Sequence, residues 1–298
     1  MSGVFCIGEC MVELRQAGNG LLGQGYAGDS YNTAVYLKRS APNQHVHYVT
    51  TTGIDPFSAA MRAAWKSEGV LDDYAYQVTT RRPGLYLIDL DDKGERRFHY
   101  WRGESAAKLW LQSLKEAGGA ALLRVADVVY LSGISLAILT PDERRQALAL
   151  MQELKGKVGL LAFDPNYRPA LWGSVEEARE IIAKAAGLAD LFLPSREDLH
   201  TLYGGTLGDE TAMLKGFGCK EAAMTADIGQ CLVISDGNAE LVKGAVATKV
   251  VDSSGAGDSF NGAYLAARLA GKRPADAALA GLALAAEVVG KPGAVVAR

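Results

Sequence analysis

The stretch that decides the fold is Val158-Gly-Leu-Leu-Ala-Phe-Asp164, an apolar run that ends on one carboxylate. Such runs are typical of strands that are buried on both faces of a parallel sheet. Similar short runs occupy residues 128–131 and 191–193, and amphipathic helical patterns over 141–154 and 175–186 lie between the three. This alternation predicts a parallel sheet covered by helices, with ligands gathering at the carboxyl ends of its strands.

The same pattern extends outward toward both ends of the chain. A helix begins near Asp29 and runs to about Arg39, with Asp29 or Ser30 as its cap. We predict further elements of both kinds: strands over residues 3–8 and 45–51, antiparallel strands over 232–235 and 240–251, a helix starting near Ser195, and helices over 56–68, 257–269 and 274–289.

Residues 10–28 and 74–103 do not follow the strand–helix alternation. Within the second piece, residues 85–90 and 96–101 flank Asp91-Asp-Lys-Gly94, a strong signal for a β-hairpin. We expect the two pieces to form a small sheet that acts as a lid over a site. The prediction is therefore one α/β domain over residues 1–298 with a small β-sheet lid.

Composition excludes several classes of protein. The chain has 298 residues, 49% of them hydrophobic, and a formal net charge of -3, which does not match the basic surface of a nucleic-acid-binding protein. The four cysteines form no Cys-x-x-Cys pair and fit no zinc spacing with the four histidines. No apolar stretch reaches the ~20 residues of a membrane helix, and the first residues do not resemble a signal peptide. We expect a soluble cytoplasmic protein.

The sharpest chemical signal is Asp252-Ser-Ser-Gly-Ala-Gly-Asp258, which precedes a good helical pattern. A glycine-rich turn at a helix N-terminus aims several backbone N–H groups at one point, and the helix dipole adds positive potential there. This arrangement suits a phosphate or a phosphoryl group in transfer. Asp258 then stands where a general base would take a proton from an attacking hydroxyl, although an acidic residue also favours a helix start for purely structural reasons.

This motif resembles the second signature of the PfkB or ribokinase-like carbohydrate kinases, in which two threonines stand where this chain has Ser253 and Ser254. The resemblance implies a three-layer α/β/α sandwich with a small β-sheet lid. It also implies that Asp258 is the catalytic base. The anion hole would be formed by the backbone of Gly255, Ala256 and Gly257.

A second group of polar residues occurs in Gly28-Asp-Ser-Tyr-Asn32. Asp29 and Asn32 are three residues apart and share one face of the predicted helix. Spacing alone favours a helix cap and a surface polar residue over a binding role. The family resemblance implies instead that Gly28, Asp29 and Asn32 hold sugar hydroxyls, with Ala27 in place of a first glycine.

Two arginines bear on the class of substrate. Arg102 follows the predicted hairpin, and Arg168 lies in Asp164-Pro-Asn-Tyr-Arg168 after the buried strand. A guanidinium fork matches a carboxylate, whereas a neutral sugar needs no such pair. The alternatives are that both arginines form surface salt bridges or bind ATP phosphates.

Longer segments resemble one branch of the family, the 2-keto-3-deoxygluconate kinases. They include Gly8-Glu-Cys-Met-Val-Glu13, Pro83-Gly-Leu-Tyr86, Tyr100-Trp-Arg102 and Phe163-Asp-Pro-Asn-Tyr-Arg-Pro169. This resemblance implies that the sugar acid contacts Gly28, Tyr86, Tyr100, Arg102 and Arg168. It further implies that Asn166, Arg168, Gly255 and Gly257 lie near ATP.

The chain departs from the family pattern in two places. An Asn-x-x-Glu motif that organises magnesium through water is replaced by Ser195 and Asp198, which we expect to serve nucleotide and Mg²⁺ respectively. Asp227 stands where related kinases have glycine near the nucleotide phosphates, so its carboxylate can repel ATP or be tolerated at the rim. Thr225 retains a hydroxyl for the nucleotide.

The sequence thus predicts transfer of a phosphoryl group from ATP, with Mg²⁺, to the C6 hydroxyl of 2-keto-3-deoxy-D-gluconate. The alternatives are a fructokinase-like enzyme and a non-catalytic sugar-acid-binding protein on the same fold. A Rossmann dehydrogenase is excluded because no Gly-x-Gly-x-x-Gly follows the first strand. An exposed lid sheet can pair with a second copy, which predicts a homodimer.

Overall fold

The computed structural model describes residues 2–90, 96–204 and 209–298. Within them lie the strands β1 (Val4–Ile7), β2 (Met11–Gly18), β3 (Leu21–Ala27), β4 (Val46–Thr52), β5 (Val70–Leu71), β6 (Ala75–Gln77), β7 (Leu85–Leu90), β8 (Arg96–Trp101), β9 (Val128–Ser132), β10 (Leu160–Asp164), β11 (Leu191–Phe192), β12 (Glu221–Thr225), β13 (Gln230–Ser235) and β14 (Asn238–Lys243).

The helices are α1 (Asp29–Ser40), α2 (Pro56–Ser67), α3 (Trp110–Glu116), α4 (Ala120–Leu123), α5 (Gly133–Ala137), α6 (Pro141–Leu154), α7 (Val175–Leu188), α8 (Arg196–Tyr203), α9 (Glu210–Gly216), α10 (Ala256–Leu269) and α11 (Pro274–Val288). No helix in the described ranges is long and apolar enough to cross a membrane.

The larger sheet has the strand order β14-β13-β12-β11-β10-β9-β1-β4-β5, with β6 also paired to β4. The pairs from β12 to β5 are parallel, and β13 and β14 add an antiparallel edge. The predicted parallel sheet is therefore confirmed. Its carboxyl ends bring the residues after β1, β9 and β10 to one edge, where sites form in folds of this kind.

Side chains of successive strand residues alternate between two cores, as the period of a β-strand requires. Phe5, Leu161 and Phe163 pack under one helical layer, whereas Val4 and Tyr130 pack under the other. The first layer includes α6 and α7; the second includes α1, α10 and α11. Both faces of the sheet are thus covered by helices, which is the predicted three-layer α/β/α arrangement.

The smaller sheet has the order β3-β2-β7-β8. β2–β3 and β7–β8 are antiparallel hairpins, and β2 pairs with β7 in parallel. The predicted extra sheet and its hairpin are confirmed, while the Asp91–Gly94 turn lies outside the described residues. The predicted start at residue 74 was wrong, because residues 75–77 form β6 and pair with β4 of the larger sheet.

Two other boundaries differ from the sequence predictions. The strand predicted over residues 240–251 ends at Lys243, because its pairing with β13 ends where Lys243 faces Gln230. The cap of α1 is Gly28 and makes no side-chain hydrogen bond, so the prediction of Asp29 or Ser30 as the cap was wrong. Both side chains are buried instead, and the Asp29 carboxylate has a partner elsewhere.

The position of the site depends on the close approach of α1 and α10. At Gly262 of α10, an added Cβ would lie 2.7 Å from the backbone nitrogen of Leu37 and 2.9 Å from the carbonyl oxygen of Thr33. These neighbours are backbone atoms of α1 and cannot swing away. The missing side chain at Gly262 therefore lets the two helices touch along their backbones.

We predict that Gly262→Ala lowers the free energy of unfolding by roughly 1–3 kcal/mol, because the added methyl group overpacks the α1–α10 contact. Thermal unfolding measures the change. Gly216→Ala is the matched control, since Gly216 is an exposed helical glycine with open space around its Cβ position. An equal melting temperature for Gly262→Ala and wild type would contradict this account of the contact.

Candidate active site

The N-terminus of α10 is built as the glycine motif predicts. Gly255 is the residue before the helix and has a φ of 74°, a left-handed conformation that glycine adopts without strain. An added Cβ at Gly255 would collide with the carbonyl oxygen of Ala294, whereas at Gly257 no heavy atom lies within 4 Å. The first turn of α10 therefore faces open space. The Ala256 N–H donates to the Ser253 oxygen over 3.3 Å, closing the turn.

The loop before this helix is fixed by a buried carboxylate. Asp252 accepts hydrogen bonds from the backbone nitrogen of Ser254 at 2.9 Å and from that of Gly293 at 2.6 Å. The second bond joins the loop to the C-terminal segment, which Tyr36 also holds through the carbonyl oxygen of Ala294 at 2.7 Å. The glycine turn thus has support from both sides.

Asp258 lies in the first turn of α10 and is held by a side chain of α1. The Asn32 amide Nδ2 donates to Asp258 Oδ2 at 2.7 Å. The Asn32 Oδ1 accepts from the backbone nitrogen of Gly28 at 3.3 Å, which fixes the amide in the orientation that presents its NH₂ group to the carboxylate. Asn32 and Asp258, predicted separately as site residues, are therefore in direct contact.

Asp29 belongs to the same cluster. Its Oδ2 accepts from Asn166 Nδ2 at 3.0 Å, and both residues are buried. Asn166 has a φ of 30°, a left-handed backbone that costs a non-glycine residue on the order of 1 kcal/mol. Its side chain thus faces Asp29 on α1.

Three further residues of the cluster have no predicted role. Asp164, at the end of β10, accepts from Asn261 Nδ2 at 2.8 Å through Oδ2 and from the backbone nitrogen of Asn166 at 2.9 Å through Oδ1. The Tyr130 hydroxyl lies 3.3 Å from Asp164 Oδ2. Asn261 follows Asp258 by three residues, as Asn32 follows Asp29. This spacing was the sequence signal that could have identified Asn261 as a site residue.

The electrostatics of the cluster follow from packing carboxylates together in a cleft. Burial, and then the negative charge of Asp29, raise the pKa of Asp258 to about 7, while the bond from Asn32 and the charge of Arg168 oppose the shift. Burial raises the pKa of Asp164 as well, with contributions from Asp198, Asp29 and Asp258. A carboxyl with a pKa near neutrality is suited to accept a proton from a substrate hydroxyl.

A second group of predicted residues lies around α8. Ser195 caps this helix: its Oγ donates to Asp198 Oδ2 at 2.7 Å and accepts from the Asp198 nitrogen at 3.0 Å. Asp198 Oδ1 accepts from the Tyr167 nitrogen at 3.0 Å and lies 3.5 Å from Arg168 Nη1. Thr225 pairs with Ser195 in an isolated parallel bridge. Asp198 thus links α8 to the loop that carries Asn166 and Arg168.

The unusual Asp227 has a cationic neighbour. Arg196 Nη1 lies 2.7 Å from Asp227 Oδ1, and the same guanidinium contacts Glu210 at 2.7 Å. The negative charge that set this chain apart from the family pattern is therefore paired with Arg196, a residue that sequence reasoning did not single out.

The predicted residues of the lid have acidic partners. Arg102 forms an ion pair with the fully buried Glu9, which follows β1, while its Nε has no hydrogen-bond partner. The Tyr86 hydroxyl donates to Glu13 on the neighbouring lid strand. Tyr100 stands opposite Tyr86 in the β7–β8 pair and is half exposed. The Arg102 ion pair ties the end of the lid to the larger sheet.

The structure therefore brings the predicted residues together in three groups. In the first group, direct hydrogen bonds join Asn32 to Asp258 and Asn166 to Asp29. Ser195, Asp198, Arg168 and Thr225 form the group around α8, and Tyr86, Tyr100 and Arg102 lie on or beside the lid strands. Sequence reasoning missed the hydrogen-bonding or charged partners Glu9, Glu13, Tyr130, Asp164, Arg196 and Asn261.

Comparison with known proteins identifies this arrangement. The family model described as pfkB family carbohydrate kinase matches residues 1–297. The chain belongs to this family. The chain is 40% identical over 301 residues to a 2-dehydro-3-deoxygluconokinase of Escherichia coli strain K12, with 99% of this chain and 97% of the relative covered. A fructokinase of Vibrio alginolyticus is 29% identical, with 89% and 84% covered.

The pfkB fold is also shared with solved structures. A putative ribokinase II from E. coli, solved in complex with ATP and Mg²⁺, superposes with a TM-score of 0.84 at 22% identity, covering 99% of this chain and 95% of that one. The predicted ribokinase-like architecture is confirmed, and the chain is a carbohydrate kinase.

We predict that the kinase's kcat/KM rises with pH through about 7, because burial raises the pKa of Asp258 to that value and a base at this position would accept a proton only when ionised. Asp29→Asn removes the negative charge of Asp29, the second cause of the raised pKa of Asp258. The rise in kcat/KM should therefore move to lower pH, even if the maximum kcat/KM falls. The profile is measured from about pH 5 to about pH 9, with exposed Asp142→Asn as the control. An unmoved profile in Asp29→Asn would refute the coupling.

Proposed function

We propose that this kinase transfers the γ-phosphoryl group of Mg²⁺·ATP to the C6 hydroxyl of 2-keto-3-deoxy-D-gluconate. The observation that carries the proposal is Asp258, a carboxyl of raised pKa in the first turn of α10, beside Asp29 and Asn32. Full-length similarity to 2-dehydro-3-deoxygluconokinases supports the choice of substrate.

In the proposed reaction, Asp258 takes the proton of the C6 hydroxyl as its oxygen attacks the γ-phosphorus. The new bond joins C6 oxygen to phosphorus, the bond from phosphorus to the β–γ bridging oxygen breaks, and ADP leaves. The N–H groups and dipole of the α10 N-terminus stabilise the negative charge on the transferring group. Asp29 and Asn32 would orient the sugar so that this hydroxyl meets the base.

The carboxylate of the sugar acid needs a positive partner. Arg102 already has an ion pair with Glu9, so its charge is balanced before any substrate binds. Arg168 is about half exposed and its nearest carboxylate, Asp198, lies at 3.5 Å. We therefore propose Arg168 as the main partner of the substrate carboxylate, with the remaining donors of Arg102 and the Tyr100 hydroxyl completing the contact.

For Mg²⁺·ATP we propose the region around α8 and the α10 N-terminus. Both Asp198 oxygens already accept hydrogen bonds, from Ser195 and from the Tyr167 nitrogen. Such a carboxylate fits contact with Mg²⁺ through water better than direct ligation. Thr225, Gly255 and Gly257 would contact the nucleotide. We also propose that the kinase works in the cytoplasm as a homodimer paired through its lid sheet.

We predict ATP-dependent phosphorylation of 2-keto-3-deoxygluconate, measured as ADP release beside its galacto epimer, fructose and ribose. Asp258→Asn should lower kcat by about 10²–10⁴-fold, the usual contribution of a general base. Thermal unfolding confirms that the variant is folded. A wild type that phosphorylates none of the four sugars would reject the proposal, and preference for fructose would favour the fructokinase alternative.

We predict that Arg168→Gln raises KM for the sugar acid by about 10- to 100-fold, because it removes a charge-assisted bond to the carboxylate. Any activity on fructose should keep its KM, since fructose has no carboxylate. The matched control is Arg145→Gln, an exposed arginine of α6. An equal loss with both sugars would mean that Arg168 serves ATP, the alternative left open by the sequence.

We predict that Arg196→Gln raises KM for ATP several-fold, because it frees the Asp227 carboxylate beside the nucleotide phosphates. The double variant Arg196→Gln with Asp227→Gly should recover most of this loss. Initial rates at varied ATP and saturating sugar give both values. Additive effects of the two substitutions would count against a repulsive role for Asp227.

A further inference from the structure

Three chain segments meet below the proposed base, and each carries one aspartate and one asparagine. The segments are α1, the end of β10 with the loop that follows it, and the first two turns of α10. Their pairs of residues are Asp29 with Asn32, Asp164 with Asn166, and Asp258 with Asn261. All six are buried except Asp258, which is partly exposed to the cleft.

The three segments are joined by a closed ring of hydrogen bonds that runs in one direction. Asn32 of α1 donates to Asp258 of α10 at 2.7 Å. The same helix donates in turn, from Asn261 to Asp164 of the loop at 2.8 Å. The loop completes the ring, since Asn166 donates to Asp29 of α1 at 3.0 Å.

The direction of the ring is set by chemistry. In each pair an aspartate oxygen accepts and an asparagine NH₂ group donates, since an amide nitrogen cannot accept. No Lys or Arg of the described ranges forms an ion pair with any of the three aspartates. The amides are thus the main donors that compensate these charges. Removing one donor leaves a buried carboxylate without its partner, a costly change in a low-dielectric site.

We propose that Asn261 and Asp164 are positioning residues for phosphoryl transfer. They act through the ring: their bond joins the helix of the base to the loop of Asn166, and Asn166 in turn holds Asp29. Asp258 and Asn261 are one turn apart, so α10 is tied at two points, to α1 and to the loop. The ring thereby sets the distance and angle between the base and the groups proposed to hold the sugar. This inference rests on the proposed function.

The ring offers a sharp test, because its link between residues 164 and 261 can be reversed. In Asp164→Asn, the one amide oxygen can accept from the Asn166 nitrogen or from Asn261 but not from both, so with Asn261 oriented as here one donor faces another. In Asn261→Asp, two carboxylates face each other. In the double swap, the amide oxygen of Asn at 164 can still accept from the Asn166 nitrogen. Its NH₂ group can donate to Asp at 261, so the link is restored with donor and acceptor exchanged.

We expect each single variant to lower kcat about 10- to 100-fold with KM for both substrates changed less than about 3-fold, since misplaced groups slow the chemical step. The double swap should return kcat to within about 5-fold of wild type. Rates are measured at about pH 8.5, above the pKa of about 7 of Asp258 in the wild type. Asn238→Asp, at an exposed position of β14, is the control for a surface Asn-to-Asp change.

The proposal is overturned if folded single variants keep the wild-type kcat, or if the double swap is no better than the worse single variant. A lower melting temperature with an unchanged kcat would show that the two residues have a purely structural role, which would also overturn the proposal. If a single variant does not fold, Asn261→Ala replaces it, and the same loss of kcat is expected. Wild-type activity on the sugar acid tests the proposed function separately, since the ring is judged only by ratios of variant to wild type.

Discussion

Three aspartate carboxylates converge at the carboxyl edge of the sheet, and their mutual repulsion is the constraint around which the site is arranged. Removing a charge from water is costly unless it is paired or hydrogen-bonded. Here the hydrogen-bond donors to the carboxylates are asparagine amides rather than cations. The amides stabilise the negative charges without neutralising them, so part of the repulsion between the carboxylates remains. Burial, and then the negative charge of Asp29, raise the pKa of Asp258 to about 7. A carboxyl with a pKa near neutrality is suited to act as a general base.

Much of the fold was readable from the sequence, for a physical reason in each case. The run ending at Asp164 has no polar residue between its strand ends because both of its faces are covered, and this predicted the parallel sheet. Gly255 adopts a left-handed φ, which explains why a glycine was needed before α10. Asp29 and Asn32 share a helix face, so spacing predicted that their side chains point in one direction, and the family resemblance implied that this direction is toward the sugar.

The bonds that complete the site were beyond sequence reasoning. The partners in the ring are separated by 226, 137 and 97 residues along the chain, and a single sequence gives no information on such pairings. Arg102 and Glu9, which form an ion pair, are 93 residues apart along the chain. The sequence therefore did not show that the charge of Arg102 is already balanced within the protein. The cap of α1 was misassigned for a related reason: Asp29 has a cap residue's chemistry, but the burial of its side chain directs it to Asn166.

The two arginines illustrate how burial decides which charge is available to a substrate. Arg102 is largely enclosed and faces a fully buried Glu9, so separating the pair would leave an uncompensated charge in the interior. Arg168 has more than half of its side chain exposed, and its contact with Asp198 is long. Its charge can therefore turn to a ligand at little cost. The buried pair holds the lid to the larger sheet, and the more loosely paired Arg168 is the residue that we propose recognises the carboxylate of a sugar acid.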